Sequence, residues 1–203
     1  MAITPADIKK LRELTNAPMM ACKTALEDAD GDLDKAAELV RERTGAKMDA
    51  RAADRTASEG IVYSYLHAPT PGVPPRSGVL LQLSCETDFV AKNEQFQGLA
   101  HKLALHIAAM KPLVVSEDKL DADLLEKERE FARKEAIEQG KPDNIIDKIV
   151  EGKIRKVHEE WVLLNQPFVM DDSKTVAELI SEVQAVVGEK VEVARFALFE
   201  VGK

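Results

Sequence analysis

The sequence contains few of the residues that define disulfide-rich, membrane or nucleic-acid-binding proteins. Only two of its 203 residues are cysteines, Cys22 and Cys85, too few for a disulfide framework and consistent with reduced thiols. No apolar run approaches the roughly 20 residues that span a bilayer, and the amino terminus has no apolar signal core behind a basic region. The net charge of −8 disfavours nonspecific attraction to nucleic acid or anionic lipid. We therefore expect a soluble, cytoplasmic protein that binds neither nucleic acid nor membranes directly.

Residue groupings that would support catalysis or metal binding are also absent from the sequence. Cys85 lies near Glu86 and Asp88, and carboxylates raise the pKa of a thiol, which disfavours a nucleophile. His101 and His106 would point about 140° apart on a helix. The cysteines and histidines lack zinc-binding spacing, and the ten glycines are scattered rather than gathered in a phosphate-binding loop. The sequence predicts a protein that is not an enzyme and that needs no metal or cofactor.

Apolar periodicity predicts an α+β fold that begins with three short helices. Residues 16–18 separate the first two helices, residues 30–32 separate the second from the third, and Thr44-Gly45 ends the third. The apolar stripe of the first helix consists of Ile8, Leu11 and Leu14. We predict a small helical bundle over residues 1–45, an Ala-rich charged linker over 46–59 and a core domain over 60–203.

After Gly60 the apolar period changes to two, which predicts a small antiparallel three-stranded sheet packed with helices. The first strand, 61–67, leads through a long proline-rich loop into the second, 79–85, and Asn93 is expected to cap an amphipathic helix. The first strand should have one face formed by Ile61, Tyr63 and Tyr65. The last strand should have one face formed by Val191, Val193, Ala197, Phe199 and Val201.

A helical hairpin is predicted over about residues 121–166, with Gly140-Lys141-Pro142 at its turn. Its first helix has sparse apolar positions, mainly Leu124, Leu125, Phe131 and Ile137. The hairpin is therefore expected to be partly exposed.

Met19, Met20 and Lys23 begin the second short helix and have two interpretations. The pattern alone favours methionines that fill the bundle core, because methionine adapts readily to irregular packing. The alternative is a soft contact patch where the first two helices meet.

Asp88 and Phe89 stand side by side where the chain leaves the second strand, in the segment Thr87-Asp88-Phe89-Val90. Strands usually end in Gly, Pro, Asn or Ser turns, so an Asp-Phe pair is a candidate contact point. The alternative is that Phe89 folds back into the core and Asp88 caps the following turn. The pattern alone is equally compatible with both, although Asn93 already caps the next helix and leaves Asp88 free.

Three segments of this sequence resemble the bacterial and organellar translation elongation factor Ts family, and the match runs nearly end to end. Residues 11–26 read LRELTNAPMMACKTAL, like the amino-terminal signature of that family. Residues 85–93 read CETDFVAKN, like its central signature, and residues 164–169 read LNQPFV, like its carboxy-terminal core segment. The first two signatures in this order are highly specific.

The resemblance implies a ubiquitin-associated-like (UBA-like) amino-terminal bundle and guanine-nucleotide exchange on the GTPase elongation factor Tu. It implies that Thr87, Asp88, Phe89 and Val90 contact that GTPase beside its magnesium site. It also implies that the bundle docks on the same nucleotide-binding domain, which favours the contact interpretation of Met19, Met20 and Lys23.

The sequence passes through the sheet pattern once, whereas the longest family members have two related core halves and a coiled-coil insertion. It resembles the short form, whose members pair into homodimers, and His67 would then contact the GTPase from the other subunit. A surface histidine at a loop mouth is an equal alternative. Two rival functions are a ubiquitin-like or peptide-binding adaptor acting through residues 1–45, and a structural dimer organised by the hairpin Asp121–Gln166.

Overall fold

The computed structural model describes residues 3–15, 17–40, 43, 55–68, 70 and 72–202. The chain divides into two compact units. The first comprises Met1–Gly60, Ser84–Gln97 and Ile180–Glu192, and the second comprises Ile61–Leu83, Gly98–Leu179 and Val193–Lys203. Across the described ranges, no helix is both long and apolar enough to cross a membrane.

Three short helices form the amino-terminal bundle: α1 (Pro5–Thr15), α2 (Met19–Asp28) and α3 (residues 33–40). Thr4 and Asp7 cap α1 reciprocally, because the Thr4 amide donates to Asp7 Oδ2 at 3.0 Å and the Asp7 amide to Thr4 Oγ1 at 3.3 Å. The bundle core contains Leu11, Cys22, Ala25, Leu26, Ala36 and Val40. Leu14 is exposed, so its predicted place in the stripe is wrong.

Several predicted features lie outside the described residues. They are part of the break after the first helix (residue 16), the end of the third helix (44–45) and most of the linker (46–54). The domain boundaries and the UBA-like character of the bundle therefore stay predictions.

The prediction of a three-stranded antiparallel sheet is confirmed. A separate pair of short antiparallel strands lies between the second and third strands of this sheet in the chain. Among the described residues, the strands are β1 (Glu59–His67), β2 (Ser77–Cys85), β3 (Pro167–Phe168), β4 (Asp171–Thr175) and β5 (Glu192–Glu200). The sheet has the order β1-β2-β5. In β1 the predicted alternation holds, with Ile61, Tyr63 and Tyr65 half-buried between exposed neighbours.

The predicted face of the last strand is only partly right. Val191 and Val193 are buried, but the consecutive exposed residues Ala194 and Arg195 break the alternation. Phe196 and Leu198 are half-buried beyond that point, while Phe199 is 71% exposed. The predicted Ala197, which lies between Phe196 and Leu198, is half-buried as well, and the predicted Val201 is exposed, so the later residues follow no strict alternation.

The other α-helices of the described residues are α4 (Asp88–Ala91), α5 (Glu94–Met110), α6 (Ala122–Glu138), α7 (Asp143–Trp161) and α8 (Val176–Val187). The α5 stripe is buried as predicted, from Phe96 and Leu99 to Leu103 and Ile107.

The predicted helical hairpin is formed by α6 and α7, and α6 packs in part through the predicted Leu125, which is half-buried against the hairpin core. Its buried residues are Ala132 and Ala136, which pack with Ile146, Val150 and Ile154. Phe131 is 60% exposed and Ile137 is also exposed. Alanine lets two helices approach closely, so the seam follows the small residues and leaves Phe131 and Ile137 outside.

His106 is a buried polar residue on α5 that contacts the segment around β3. Its Nε2 donates to Gln166 Oε1 at 2.8 Å, because its Nδ1 accepts from the Val169 amide at 3.2 Å. Gln166 Nε2 in turn donates to the Glu160 carbonyl at 2.6 Å. Burial lowers the pKa of His106 below its ordinary 6.5, although the Gln166 contact opposes that shift. A neutral imidazole therefore holds the turn between β3 and β4.

The free energy of unfolding is expected to fall as the pH drops below about 6.5. The unfolded chain takes up a proton on His106 before the folded chain does, since the folded pKa is lowered. The stability is thus complete above the unfolded pKa and is lost as the pH falls toward the folded one. Urea denaturation at several pH values gives the free energy of unfolding as a function of pH. His106→Gln should reduce the slope of that pH dependence, and His101→Gln, at an exposed position, is the control that should not. An unchanged slope in His106→Gln would exclude this histidine as the source.

Candidate functional site

The segment Thr87–Val90 forms a tight corner between β2 and α5. Thr87 has extended backbone geometry and is the N-cap of α4, with its side chain accepting from the Val90 amide at 3.5 Å. The interpretation of Asp88 as the cap is therefore wrong, because Thr87 occupies that position. Asn93 Oδ1 accepts from the Gln95 amide at 2.8 Å and caps α5, as predicted.

Phe89 is displayed on α4 with 80% of its surface exposed, so the interpretation that it folds into the core is wrong. Val90 and Ala91 are buried and anchor the same turn. In this four-residue helix, the first two residues are thus exposed to solvent while the last two pack inward.

The sequence suggested that Asp88 is free, but in the structure its carboxylate is paired. Lys92 Nζ donates to Asp88 Oδ2 at 2.6 Å and lies 6.0 Å from the centroid of the Phe89 ring. The hydrogen bond from Lys92 lowers the pKa of Asp88 below its ordinary range. The exposed ring is therefore flanked by an ionised carboxylate and a cation, both on the solvent side.

Glu189, which no sequence pattern singles out, supports this corner. Its carboxylate accepts from the Glu86 amide at 3.2 Å, the Thr87 amide at 3.0 Å and the Thr87 hydroxyl at 2.6 Å. In return, Glu86 Oε1 accepts from the Lys190 amide at 2.6 Å and from Arg55 at 3.1 Å. These partners lie on segments far apart in the chain, so no local pattern could have revealed them.

Cys85 lies directly before the corner and donates from Sγ to the Thr87 carbonyl at 3.1 Å. Burial, and secondly the Glu189 carboxylate, raise the pKa of this thiol. A raised pKa is the direction expected for a thiol that does not act as a nucleophile. The main causes of the shift are burial and Glu189 rather than the sequence neighbours of Cys85.

Cys85 is expected to react with a disulfide reagent far more slowly than an exposed thiol at pH 8. It is fully buried, and its raised pKa reduces the thiolate fraction. A Cys22→Ala chain isolates this thiol, and the unfolded chain in urea supplies the matched reference rate. Equal rates in the folded and unfolded chain would contradict the expectation.

Met19 is 58% exposed and Met20 is 70% exposed at the start of α2, so the interpretation of both as bundle core is wrong. Leu14 is also exposed. Lys23 is half-exposed and lies 3.7 Å from Glu27, a surface pair of little energetic weight. The bundle thus has exposed apolar side chains beside a lysine.

His67 is an exposed residue at the end of β1, with its Nδ1 3.1 Å from the Tyr65 hydroxyl. A second contact of the same kind joins the Tyr63 hydroxyl to His101 Nδ1 at 2.8 Å. Among the residues that the structure describes, no group of three or more His, Cys, Asp or Glu side chains could hold a metal ion.

These features define an α+β protein that exposes apolar side chains on short helices, an arrangement suited to contact with another macromolecule.

A family model described as elongation factor TS matches residues 5–203. The chain is 48% identical over 201 residues to elongation factor Ts of Desulforamulus reducens, covering 99% of this chain and 90% of that one. It is 47% identical over 201 residues to elongation factor Ts of Oleidesulfovibrio alaskensis, covering 99% and 98% of the two chains. It is 49% identical over 199 residues to elongation factor Ts of Frankia alni, covering 98% and 97%.

The chain therefore belongs to the elongation factor Ts family, as the resemblance of its signatures predicted. Its role is that of an elongation factor in protein biosynthesis.

Proposed function

We propose that this chain is a guanine-nucleotide exchange factor that binds elongation factor Tu in its GDP-bound and nucleotide-free forms. It promotes GDP release in the cytoplasm and catalyses no chemical reaction of its own. The observation that carries the proposal is the exposed Phe89 ring on a braced turn, within a chain of the elongation factor Ts family.

Phe89 acts as a wedge between the elements of the GTPase that flank its phosphate and magnesium site, and Asp88 guides its approach. A wedge must be rigid, since a mobile ring would lose entropy on insertion. The buried Val90 and the Thr87 cap supply that rigidity here. Displacing Mg²⁺ removes a major electrostatic clamp on the β-phosphate, so GDP leaves faster.

Exchange follows from linkage rather than from a catalytic group. If the factor weakens GDP binding by some ratio, GDP weakens binding of the factor by the same ratio. The ternary complex is therefore transient, and either nucleotide can displace the factor. The excess of GTP over GDP then sets the direction of the cycle.

One wedge is too weak to act alone, because burying a Phe side chain contributes roughly 1.5–3 kcal/mol. The bundle supplies a second contact through Met19, Met20 and Lys23. The exposed methionines adapt to an apolar partner surface, and the lysine suits an acidic one.

The same proposal includes a homodimer, with His67 contacting the GTPase from the other subunit. Exposed apolar side chains occur on all three strands of the sheet, at Val62, Leu66, Leu80 and Phe199. We call this set the uncovered sheet face. Exposed apolar side chains on neighbouring strands are candidates for a protein–protein interface.

Release of a fluorescent GDP from purified elongation factor Tu tests the proposal. The intact chain at substoichiometric concentration should accelerate release and turn over many times. Absence of acceleration would refute exchange. Binding of a ubiquitin-like or peptide ligand by the bundle without such acceleration would favour the adaptor instead.

A further inference from the structure

The helix that carries Phe89 is four residues long, too short to be stable without outside support. The first helical turn fixes several backbone dihedrals for a single hydrogen bond, so its formation is unfavourable in isolation. The orientation of Phe89 must therefore depend on side chains that hold the start of α4.

Glu189 holds that start through three hydrogen bonds. Its Oε2 accepts from the Glu86 and Thr87 amides at 3.2 and 3.0 Å, while its Oε1 accepts from the Thr87 hydroxyl at 2.6 Å. A hydroxyl has a single hydrogen, so donating it to Glu189 leaves the Oγ1 lone pairs to accept from the Val90 amide. The carboxylate thus sets both the backbone and the side-chain rotamer of the N-cap.

The position of Glu189 is itself determined by the turn that ends α8. Gly188 has a φ of +76°, in the region that favours glycine, and its amide donates to the Gln184 carbonyl at 2.8 Å. The Lys190 amide donates to Glu86 Oε1, so each of the two loops supplies a carboxylate to the backbone of the other. Such mutual contacts fix both loops more firmly than either could alone.

We propose that Glu189 is a positioning residue for nucleotide exchange, which acts through Thr87 to hold Phe89 in the orientation that meets the GTPase. The inference rests on the proposed exchange function. Without Glu189, α4 would have to become ordered during the encounter, and that cost would appear in the rate of GDP release.

The first test compares Glu189→Gln and Thr87→Val with the wild-type chain in steady-state exchange on elongation factor Tu·GDP. Both variants should lower kcat about tenfold, the equivalent of roughly 1.4 kcal/mol, with little change in KM, because the bundle contact remains. Thr87→Ser keeps the hydroxyl and should therefore lose less of the rate than Thr87→Val. The control Glu192→Gln removes a nearby carboxylate that pairs with Lys190 Nζ at 2.9 Å, and it should retain the wild-type rate.

The second test asks whether Glu189 acts through Phe89. In a Phe89→Ala chain, Glu189→Gln should cause no further loss, because the side chain that it positions is already absent. A full additional tenfold loss there would overturn the proposal, as would an unchanged kcat for Glu189→Gln in the wild-type background.

The third test needs no GTPase. Hydrogen exchange of the Val90 and Ala91 amides, followed by NMR on the full chain, should accelerate in Glu189→Gln and not in Glu192→Gln. Suppose that the wild-type chain accelerates GDP release but the amide protection is unchanged in Glu189→Gln. That result would overturn the role of Glu189 and leave the nucleotide-exchange function standing. A wild-type chain that fails to accelerate GDP release would overturn the exchange function and, with it, the role of Glu189.

Discussion

Replacing Phe89 with alanine is expected to slow stimulated GDP release by about one to two powers of ten. Burial of the ring in the partner contributes roughly 1.5–3 kcal/mol, and each 1.4 kcal/mol realised at the barrier is about tenfold in rate. The ring is 80% exposed in the free chain, so its removal should leave the thermal midpoint within the range of ordinary surface substitutions. In this variant the rate of stimulated GDP release should therefore fall while the thermal midpoint stays nearly unchanged.

Phe131→Ala is the matched control, because Phe131 is also a largely exposed phenylalanine on a helix. Phe131→Ala should change neither the rate of stimulated GDP release nor the affinity for elongation factor Tu. Equal losses in both variants would indicate a general effect of apolar surface rather than a wedge. A full rate for Phe89→Ala would exclude the wedge while leaving the exchange function to the remaining contacts.

The sequence predicted the elements whose signals are local. The Asn93 cap and the alternation of Ile61, Tyr63 and Tyr65 both follow from short-range rules, and both are confirmed. The corner at Thr87 was identified as a contact candidate for a similar reason, since an aromatic residue at a strand exit is unusual.

The remaining features depend on contacts between distant parts of the chain. Whether Phe89 is core or surface depends on whether space exists beside Val90 for its ring, which no periodicity reports. Glu189 reaches Thr87 from a separate segment, so its role has no sequence pattern. In α6 the two buried residues are alanines, which apolar size does not identify, because close helix approach selects small residues.

Leu80→Lys is expected to convert the proposed homodimer into a monomer. Leu80 is 49% exposed and lies on β2, the central strand of the sheet, so it occupies the middle of the uncovered sheet face. In a two-fold symmetric interface each substitution occurs twice. Full burial of an exposed leucine contributes roughly 1.5–3 kcal/mol, and about half of that remains available to Leu80. Losing two such contacts therefore raises the dimer Kd by about 10- to 100-fold, before the cost of burying two lysines.

Sedimentation equilibrium over a wide range of concentration measures this change, and Ile137→Lys provides the same substitution at an exposed position of the helical hairpin. If the uncovered sheet face forms the dimer, Ile137→Lys stays dimeric while Leu80→Lys dissociates. The reverse result would assign dimerisation to the hairpin, and a wild-type chain that is monomeric throughout would exclude the homodimer. Because Leu80 is half-exposed in the single chain, its replacement should leave the sheet folded, so dissociation and unfolding are distinguished by a normal thermal midpoint of the monomer.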